Sequence, residues 1–111
     1  MEQRLRGNTV RYEYVVRKLV EYLARKASGM TQRYELKDLV GSTASYLLER
    51  SFERIAASLY KTNGGSLWCR LCERGPFTKK GFYLHLIRVH YHELEYIVED
   101  ELRKALEVVR R

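Results

Sequence analysis

Apolar residues recur every three or four positions between Asn8 and Gly29, which is the spacing of one face of an α-helix. This face consists of Tyr12, Val15, Val16, Leu19, Val20 and Leu23. Asn8 or Thr9 is suited to cap the start of the helix, and Gly29 is suited to end it. The first quarter of the chain is therefore predicted to form one amphipathic helix.

Two more helices are predicted before residue 60. The segment from Thr31 to Gly41 has a short apolar face and a terminal glycine, which indicates a brief second helix. Ser42 is suited to cap a third helix, because apolar residues recur at helical spacing from Thr43 to about Tyr60. The N-terminal half of the chain is thus predicted to be a three-helix segment.

The pattern changes at KTNGGS, residues 61–66, where Asn-Gly and Gly-Gly favour positive φ and end the third helix. SLWCRLCERGPFT then predicts a strand, a tight turn between two cysteines and a return strand. Helical spacing resumes at Lys79 and continues almost to the end of the chain. This last stretch predicts either one helix of about thirty residues or two helices with a kink near the histidines.

Four potential metal ligands lie between residues 69 and 90. Two residues separate Cys69 from Cys72, twelve follow before His85, and four more precede His90. Two thiolates on a hairpin and two imidazoles on the next helix can complete a tetrahedron around one Zn²⁺. Because a regular helix places residues i and i+4 on one face, the wider spacing of the histidines predicts a distorted helical turn.

With these four residues, the segment 67–92 resembles a C2H2 zinc finger, a two-stranded hairpin followed by a helix. The resemblance includes Phe82, three positions before the first histidine, where the family has an apolar core residue. Four residues after Cys72, where the family has an aromatic residue, this chain has Pro76, and Phe77 follows one position later. Trp68 directly precedes Cys69, whereas the family aromatic lies one residue earlier. The resemblance implies one structural zinc ion without an open coordination position, and therefore no catalytic metal.

Three other interpretations of these residues exist. A disulfide between the cysteines would require an oxidising compartment, of which the sequence gives no sign. A thioredoxin-like redox pair would require an alternating α/β pattern, which is absent from the sequence. The histidines could also be ordinary surface residues, as is expected for His92. The presence of all four ligand types in order favours the metal site.

Positive charge falls in two blocks of the sequence, residues 1–26 with seven basic and three acidic side chains and residues 61–92 around the predicted metal site. The chain has a net charge of +7, and residues 61–92 contain six basic side chains but one acidic side chain, Glu73. Such a surface favours a polyanion, most often nucleic acid. The candidate contacts in this segment are Arg70, Arg74, Thr78, Lys79, Lys80 and Arg88. The alternatives are a solvated surface without a ligand and a finger that only braces the fold.

By resemblance to DNA-binding fingers, Thr78, Lys80, Gly81 and Leu84 would face the major groove.

The second and third predicted helices resemble a helix-turn-helix, in which residues 42–54 would face the groove. Its outermost residues would be Thr43, Ser45, Tyr46 and Arg50. The segment is electrically neutral, and a small helical bundle that supports the finger explains the same pattern. The final amphipathic helix either folds back on the first helix or pairs with its copy in a homodimer. Of these two alternatives, we expect the homodimer.

We therefore expect a mainly α protein with three parts: a helix-turn-helix-like segment (1–62), a zinc finger whose helix extends onward (63–92) and a C-terminal helix (93–111). The expected function is duplex-DNA binding as a transcriptional regulator or architectural factor. A protein-interaction adaptor and an RNA or single-strand binder are the alternatives.

The other expectations concern chemistry and location. The sequence contains no recognisable catalytic motif or membrane-spanning segment, so we expect neither enzymatic activity nor a membrane or small-molecule partner, and we expect a cytoplasmic location. The composition, rich in Arg, Glu and Tyr, is typical of heat-adapted proteins and resembles small proteins of thermophilic archaea or their viruses.

Overall fold

The computed structural model describes the backbone of residues 2–110 and the side chains of residues 11–110. The fold is mainly helical, as predicted, with a small antiparallel sheet. In chain order, its elements are α1 (Glu2–Ser28), α2 (Leu36–Val40), α3 (Ser42–Ser58), β1 (Tyr60–Asn63), β2 (Ser66–Cys69), α4 (Lys79–Val89) and α5 (Tyr91–Arg110).

Helix α1 begins earlier than the apolar pattern predicts. It starts at Glu2, so that Asn8 and Thr9 lie within the helix rather than at its start. Its end agrees with the prediction, because Gly29 follows the helix with a φ of 77°. A positive φ strains any residue with a Cβ atom, which explains a glycine at this stop.

Gly41 connects α2 to α3 without a longer loop. Its N–H donates to the carbonyl of Lys37, and its own carbonyl accepts from the N–H of Ser45. Gly41 thus ends one helix and begins the next, with a φ of 86°. Two expected starts are wrong: α2 begins at Leu36 rather than Thr31, and Ser42 is the first residue of α3 rather than its cap.

The segment predicted as a break between helices forms a β-hairpin. β1 pairs with β2 in the register Tyr60 to Cys69 and Asn63 to Ser66. Gly64 and Gly65 form the two-residue turn with φ values of 62° and 86°. Positive φ at both positions suits the tight turns that join twisted antiparallel strands. The hairpin therefore turns at the two glycines and ends at Cys69, instead of turning between the two cysteines.

The expected return strand after the cysteines is reduced to one bridge. Leu67 and Phe77 exchange two backbone hydrogen bonds of 3.1 and 2.7 Å. Gly75 lies beneath Trp68, and a Cβ atom at this position would lie 2.7 Å from the indole ring. Only glycine therefore permits the chain to return this close to β2.

Helices α4 and α5 run antiparallel to α1 along its length. The Lys79 side chain passes over Gly29 near one end, and Tyr12 donates a hydrogen bond to Glu99 farther along. The buried face of α5, which consists of Leu94, Val98, Leu102 and Ala105, packs against α1 and α3. The final helix thus folds back within the chain, and most of its apolar face is occupied, while Leu106 and Val109 near its end are exposed. The homodimer stays a prediction without this face to support it.

One core joins all the larger elements. Its fully buried side chains include Leu19 of α1, Phe52 of α3, Phe82 of α4 and Leu94 of α5. Cys69 at the end of β2 belongs to the same cluster. The core is therefore continuous across the three predicted parts of the chain. In the part of the chain that the structure describes, none of the helices has the length and apolar character needed to cross a bilayer.

Because the core is continuous, we predict that Phe52→Ala destabilises the metal-site end together with the helices. Loss of this buried ring should cost about 3 to 5 kcal/mol. Thermal unfolding followed by Trp68 fluorescence and by far-UV circular dichroism should shift to the same lower midpoint.

The matched control is Tyr46→Ala on the same helix, because the Tyr46 side chain is 64% exposed. Its effect should stay within about 0.5 kcal/mol. A Trp68 transition that Phe52→Ala leaves unchanged would show instead that residues 63–92 unfold as a separate unit.

Candidate metal centre

The structure brings together the four predicted metal ligands. One ligand atom from each of Cys69, Cys72, His85 and His90 lies within 4.8 Å of the other three. The Sγ of Cys69 lies 3.6 Å from Nε2 of His90, and the Sγ of Cys72 lies 3.3 Å from Nε2 of His85. These separations suit two sulfur and two nitrogen atoms that surround one metal ion. The cluster is therefore a candidate site for one structural metal ion.

Residues 69–74 form a turn, which we call the cysteine turn. Its backbone directs both sulfur atoms inward. The N–H of Glu73 donates to the carbonyl of Cys69, and the N–H of Cys69 donates to the carbonyl of Arg74. Glu73 adopts a φ of 61°, which turns the chain sharply after Cys72. Both thiols are free, which excludes a disulfide between them in this structure.

The two histidines come from opposite sides of a break between helices. His85 lies within α4, whereas His90 ends α4 with a φ of −116° and a ψ of 23°. In an unbroken helix, residues five apart point about 140° away from each other. The break at His90 removes this mismatch and brings both rings to the cysteines. The alternative with a kink near the histidines is thus confirmed.

Aromatic side chains form a small core beside the ligands. Phe82 is fully buried, and its ring centroid lies 5.9 Å from that of Phe77 and 6.5 Å from that of Tyr60. Phe77 also stacks on the imidazole of His85 at 4.6 Å. Phe77 therefore supports the metal ligand although it lies one position beyond the place expected from the finger pattern.

Glu93 orients His90. Its carboxylate lies 2.5 Å from Nδ1 of His90, and it accepts a hydrogen bond when that nitrogen carries the proton. The proton on Nδ1 leaves the lone pair of Nε2 free, and Nε2 is the atom that faces Cys69. A carboxylate behind a metal-binding histidine fixes both the tautomer and the ring orientation.

Protonation of the ligands follows from burial and from their mutual contacts. Burial lowers the pKa of His85, and His90 and Arg74 lower it further. Burial acts to raise the pKa of Cys72, but hydrogen bonds with His90 and the Arg74 backbone outweigh burial and lower this pKa. A neutral imidazole and a thiolate are the forms that bind a metal. These two residues are therefore biased toward their metal-binding states.

The pKa values of Cys69 and His90 are both raised, which favours the protonated forms of these two residues. Burial raises the pKa of Cys69, which lies within the core. Burial also acts to lower the pKa of His90, but hydrogen bonds with Glu93 and Cys72 outweigh it and raise this pKa. A metal ion must displace the protons of these two groups, so binding releases protons.

The basic residues predicted to contact nucleic acid border this site and face solvent. Arg70 and Arg74 lie on the cysteine turn, Lys79 and Lys80 begin α4, and Arg88 lies in its last turn, and all five are exposed. None of them forms an ion pair with any residue of the described range 11–110. We call these five residues the α4 surface. Thr78 caps α4 by accepting a hydrogen bond of 3.0 Å from the N–H of Gly81.

The candidate contacts on α3 lie in a different environment. Thr43, Tyr46 and Arg50 are exposed, whereas Ser45 is half-buried and donates to the carbonyl of Ser42. Arg50 and Arg54 line a groove with Glu101 and Lys104 of α5, so three basic side chains and one acidic side chain border it. The helix-turn-helix interpretation stays a prediction.

Two contributors to the site were not identified from the sequence. The contact between Glu93 and His90 could have been predicted from the sequence, since residues three apart in a helix lie on the same side. The contact between Lys61 and Glu73 could not have been predicted in this way, because Lys61 lies on β1 and reaches Glu73 only through the hairpin. Its ammonium lies 3.1 Å from the Glu73 carboxylate and neutralises the one acidic side chain of the basic segment.

Comparisons with protein-family models, with curated proteins and with solved structures found no match for this chain.

We predict that Glu93→Gln weakens metal binding about 10-fold to 100-fold, because His90 loses the carboxylate that holds its ring. Co²⁺ titration, followed through the thiolate-to-metal absorption, measures this change directly.

Glu95→Gln is the matched control. Glu95 lies 3.4 Å from Nδ1 of His92, which has the same spacing along the helix but is exposed and far from the ligand set. Equal losses of Co²⁺ affinity in both variants would refute the assigned role of Glu93.

Proposed function

We propose that the metal is Zn²⁺ and that residues 67–92 form a C2H2-type zinc module. The donor set supports this assignment, since two thiolates and two imidazoles in a tetrahedral arrangement are typical of structural zinc. With four protein ligands, the ion has no open position for substrate or water. Zinc would therefore stabilise the fold rather than catalyse a reaction.

We further propose that the protein binds duplex DNA through the α4 surface. The observation that carries this proposal is the group of five exposed cations beside the metal site, without acidic partners in the described range. Exposed cations without acidic partners attract the phosphate backbone, and counterion release contributes to the affinity. Because Lys61 neutralises Glu73, no free carboxylate of the basic segment opposes a phosphate at this surface.

The α4 surface is the better candidate of the two predicted contact surfaces. On α3, Glu49 pairs with Lys26, and Glu53 lies beside Arg50 and Arg54 on the exposed side. Lys26 neutralises Glu49, but Glu53 has no ion pair within the described residues 11–110 and reduces the attraction of this surface for phosphate. We therefore assign α3 a supporting role in the bundle.

In this proposal, zinc controls DNA binding by orienting the basic groups. The cysteine turn holds Arg70 and Arg74, and α4 holds the other three cations. The metal connects these two elements through Cys72 and His85. The role that fits a small basic protein of this kind is transcriptional regulation or DNA architecture, which a single binding surface can serve.

We predict that the double variant Lys79→Ala/Lys80→Ala binds duplex DNA about 60-fold more weakly than the unmodified protein at 0.1 M salt. Each lost phosphate contact removes about eightfold at this ionic strength, from a salt slope of about 0.9 per contact. Fluorescence anisotropy with a labelled duplex measures the change.

Arg103→Ala/Lys104→Ala is the control, because it removes two adjacent positive charges from exposed residues of α5 that pair with acidic neighbours. This variant should retain nearly full affinity. Equal losses in both variants would show that net charge, rather than the α4 surface, drives the binding.

Single-stranded DNA and RNA of equal length serve as competitors in the same assay. We expect the duplex to bind more tightly, because the exposed tyrosines Tyr14, Tyr46 and Tyr96 lie on three different helices and form no shared stacking platform. Tighter binding of either single strand would favour the alternative function. Absence of any nucleic-acid binding at low salt would refute the proposal.

A further inference from the structure

The outward side of α4 carries cations at its two ends and an apolar residue between them. Lys80, Leu84 and Arg88 follow each other at intervals of four, on the side opposite the buried residues Phe82 and Leu86. Eight residues of helix separate Lys80 from Arg88, which corresponds to about 12 Å along the axis. The major groove of B-DNA is also about 12 Å wide. This spacing suits contacts with phosphates at the two edges of the groove.

Besides Lys80, the residues expected to face the groove by resemblance to DNA-binding fingers, Thr78, Gly81 and Leu84, offer few groups that distinguish base pairs. Gly81 has no side chain, and the Thr78 hydroxyl already accepts the N–H of Gly81 as the cap of α4. Leu84 has no hydrogen-bonding group, so its contribution is limited to contact with a thymine methyl. The first turns of a recognition helix usually contact the bases, and here they offer no planar or bidentate donor except through Lys80.

The remaining cations lie where they contact the backbone rather than the bases. Lys80 carries a compact ammonium, which lacks the planar fork with which arginine recognises guanine. Arg88 lies in the last turn of α4, and Arg70 and Arg74 lie on the cysteine turn beside the helix.

From this arrangement we infer that the protein binds duplex DNA without selecting a base sequence, by placing α4 in the major groove and pairing the five cations of the α4 surface with phosphates. The inference rests on the proposed function. It adds the ligand class, which is duplex DNA of any sequence, and it assigns Lys80 and Arg88 as a pair of backbone contacts across the groove.

Five phosphate contacts imply a defined dependence on salt. The logarithm of the association constant should fall with the logarithm of salt concentration with a slope of about −4.5, from about 0.9 per contact. Lys80→Ala and Arg88→Ala should each reduce the size of this slope by about 0.9. Both residues are exposed and unpaired within the described residues, so the variants should fold normally, which circular dichroism checks.

The test is a titration of zinc-loaded protein with three duplexes of equal length, one of A·T pairs only, one of G·C pairs only and one of mixed sequence. Affinities should agree within about fivefold, since one good bidentate base contact alone is worth about 1 to 3 kcal/mol. Lys37→Ala is the control for the slopes, because Lys37 is exposed on α2 and pairs with Glu35. It should leave the slope unchanged.

The outcomes separate the two claims. A preference above fivefold for one duplex would overturn the inference of sequence-independent binding but leave duplex binding intact. If Lys80→Ala and Arg88→Ala leave the salt dependence of the association constant unchanged, the assigned groove contacts are overturned. No binding to any duplex at low salt would instead refute the proposed function itself.

Discussion

The convergence of two sulfur and two nitrogen atoms at one point is the constraint on which the rest of the structure depends. Cys69 ends β2, Cys72 lies in the following turn, His85 lies in α4 and His90 lies where α4 gives way to α5. A single ion held by these four atoms would connect four consecutive parts of the chain. A helix without the break would place His90 too far around its axis to reach the ion. The bend between α4 and α5 is therefore a geometric requirement of this ligand set.

The bend in turn places the rest of the chain. It directs α5 back along α1, where Leu94 and Val98 enter the same core as Phe52. Glu93, in the first turn of α5, contacts a ligand from the other side of the bend. The metal site and the helical bundle thus share both a core and a hydrogen bond. In this respect the site differs from an independent module attached through a linker.

The position of the metal site also accounts for the surface chemistry that we assign to DNA binding. Its ligands connect the cysteine turn, which carries Arg70 and Arg74, with α4, which carries Lys79, Lys80 and Arg88. The Lys61–Glu73 pair removes the local negative charge. Residues 61–92 have six basic side chains and one acidic side chain, whereas residues 93–111 have more acidic than basic side chains.

Much of this arrangement was predictable from residue spacing. The apolar periodicity predicted all the helices, and the four ligands and the kink followed from intervals in the sequence. The hairpin of β1 was not predicted, because Lys61, Thr62 and Asn63 are polar and exposed and show no strand pattern. The start of α1 was also missed, since no cap residue marks it. Whether α5 folds back or pairs with a second copy depends on long-range packing, which an amphipathic pattern alone does not determine.

The most direct test of this account is X-ray absorption at the metal edge of the purified protein, with elemental analysis to identify the metal. The account predicts one zinc ion per chain with two sulfur ligands at about 2.3 Å and two nitrogen ligands at about 2.0 to 2.1 Å. A folded protein without metal, or a metal shell without sulfur, would contradict it.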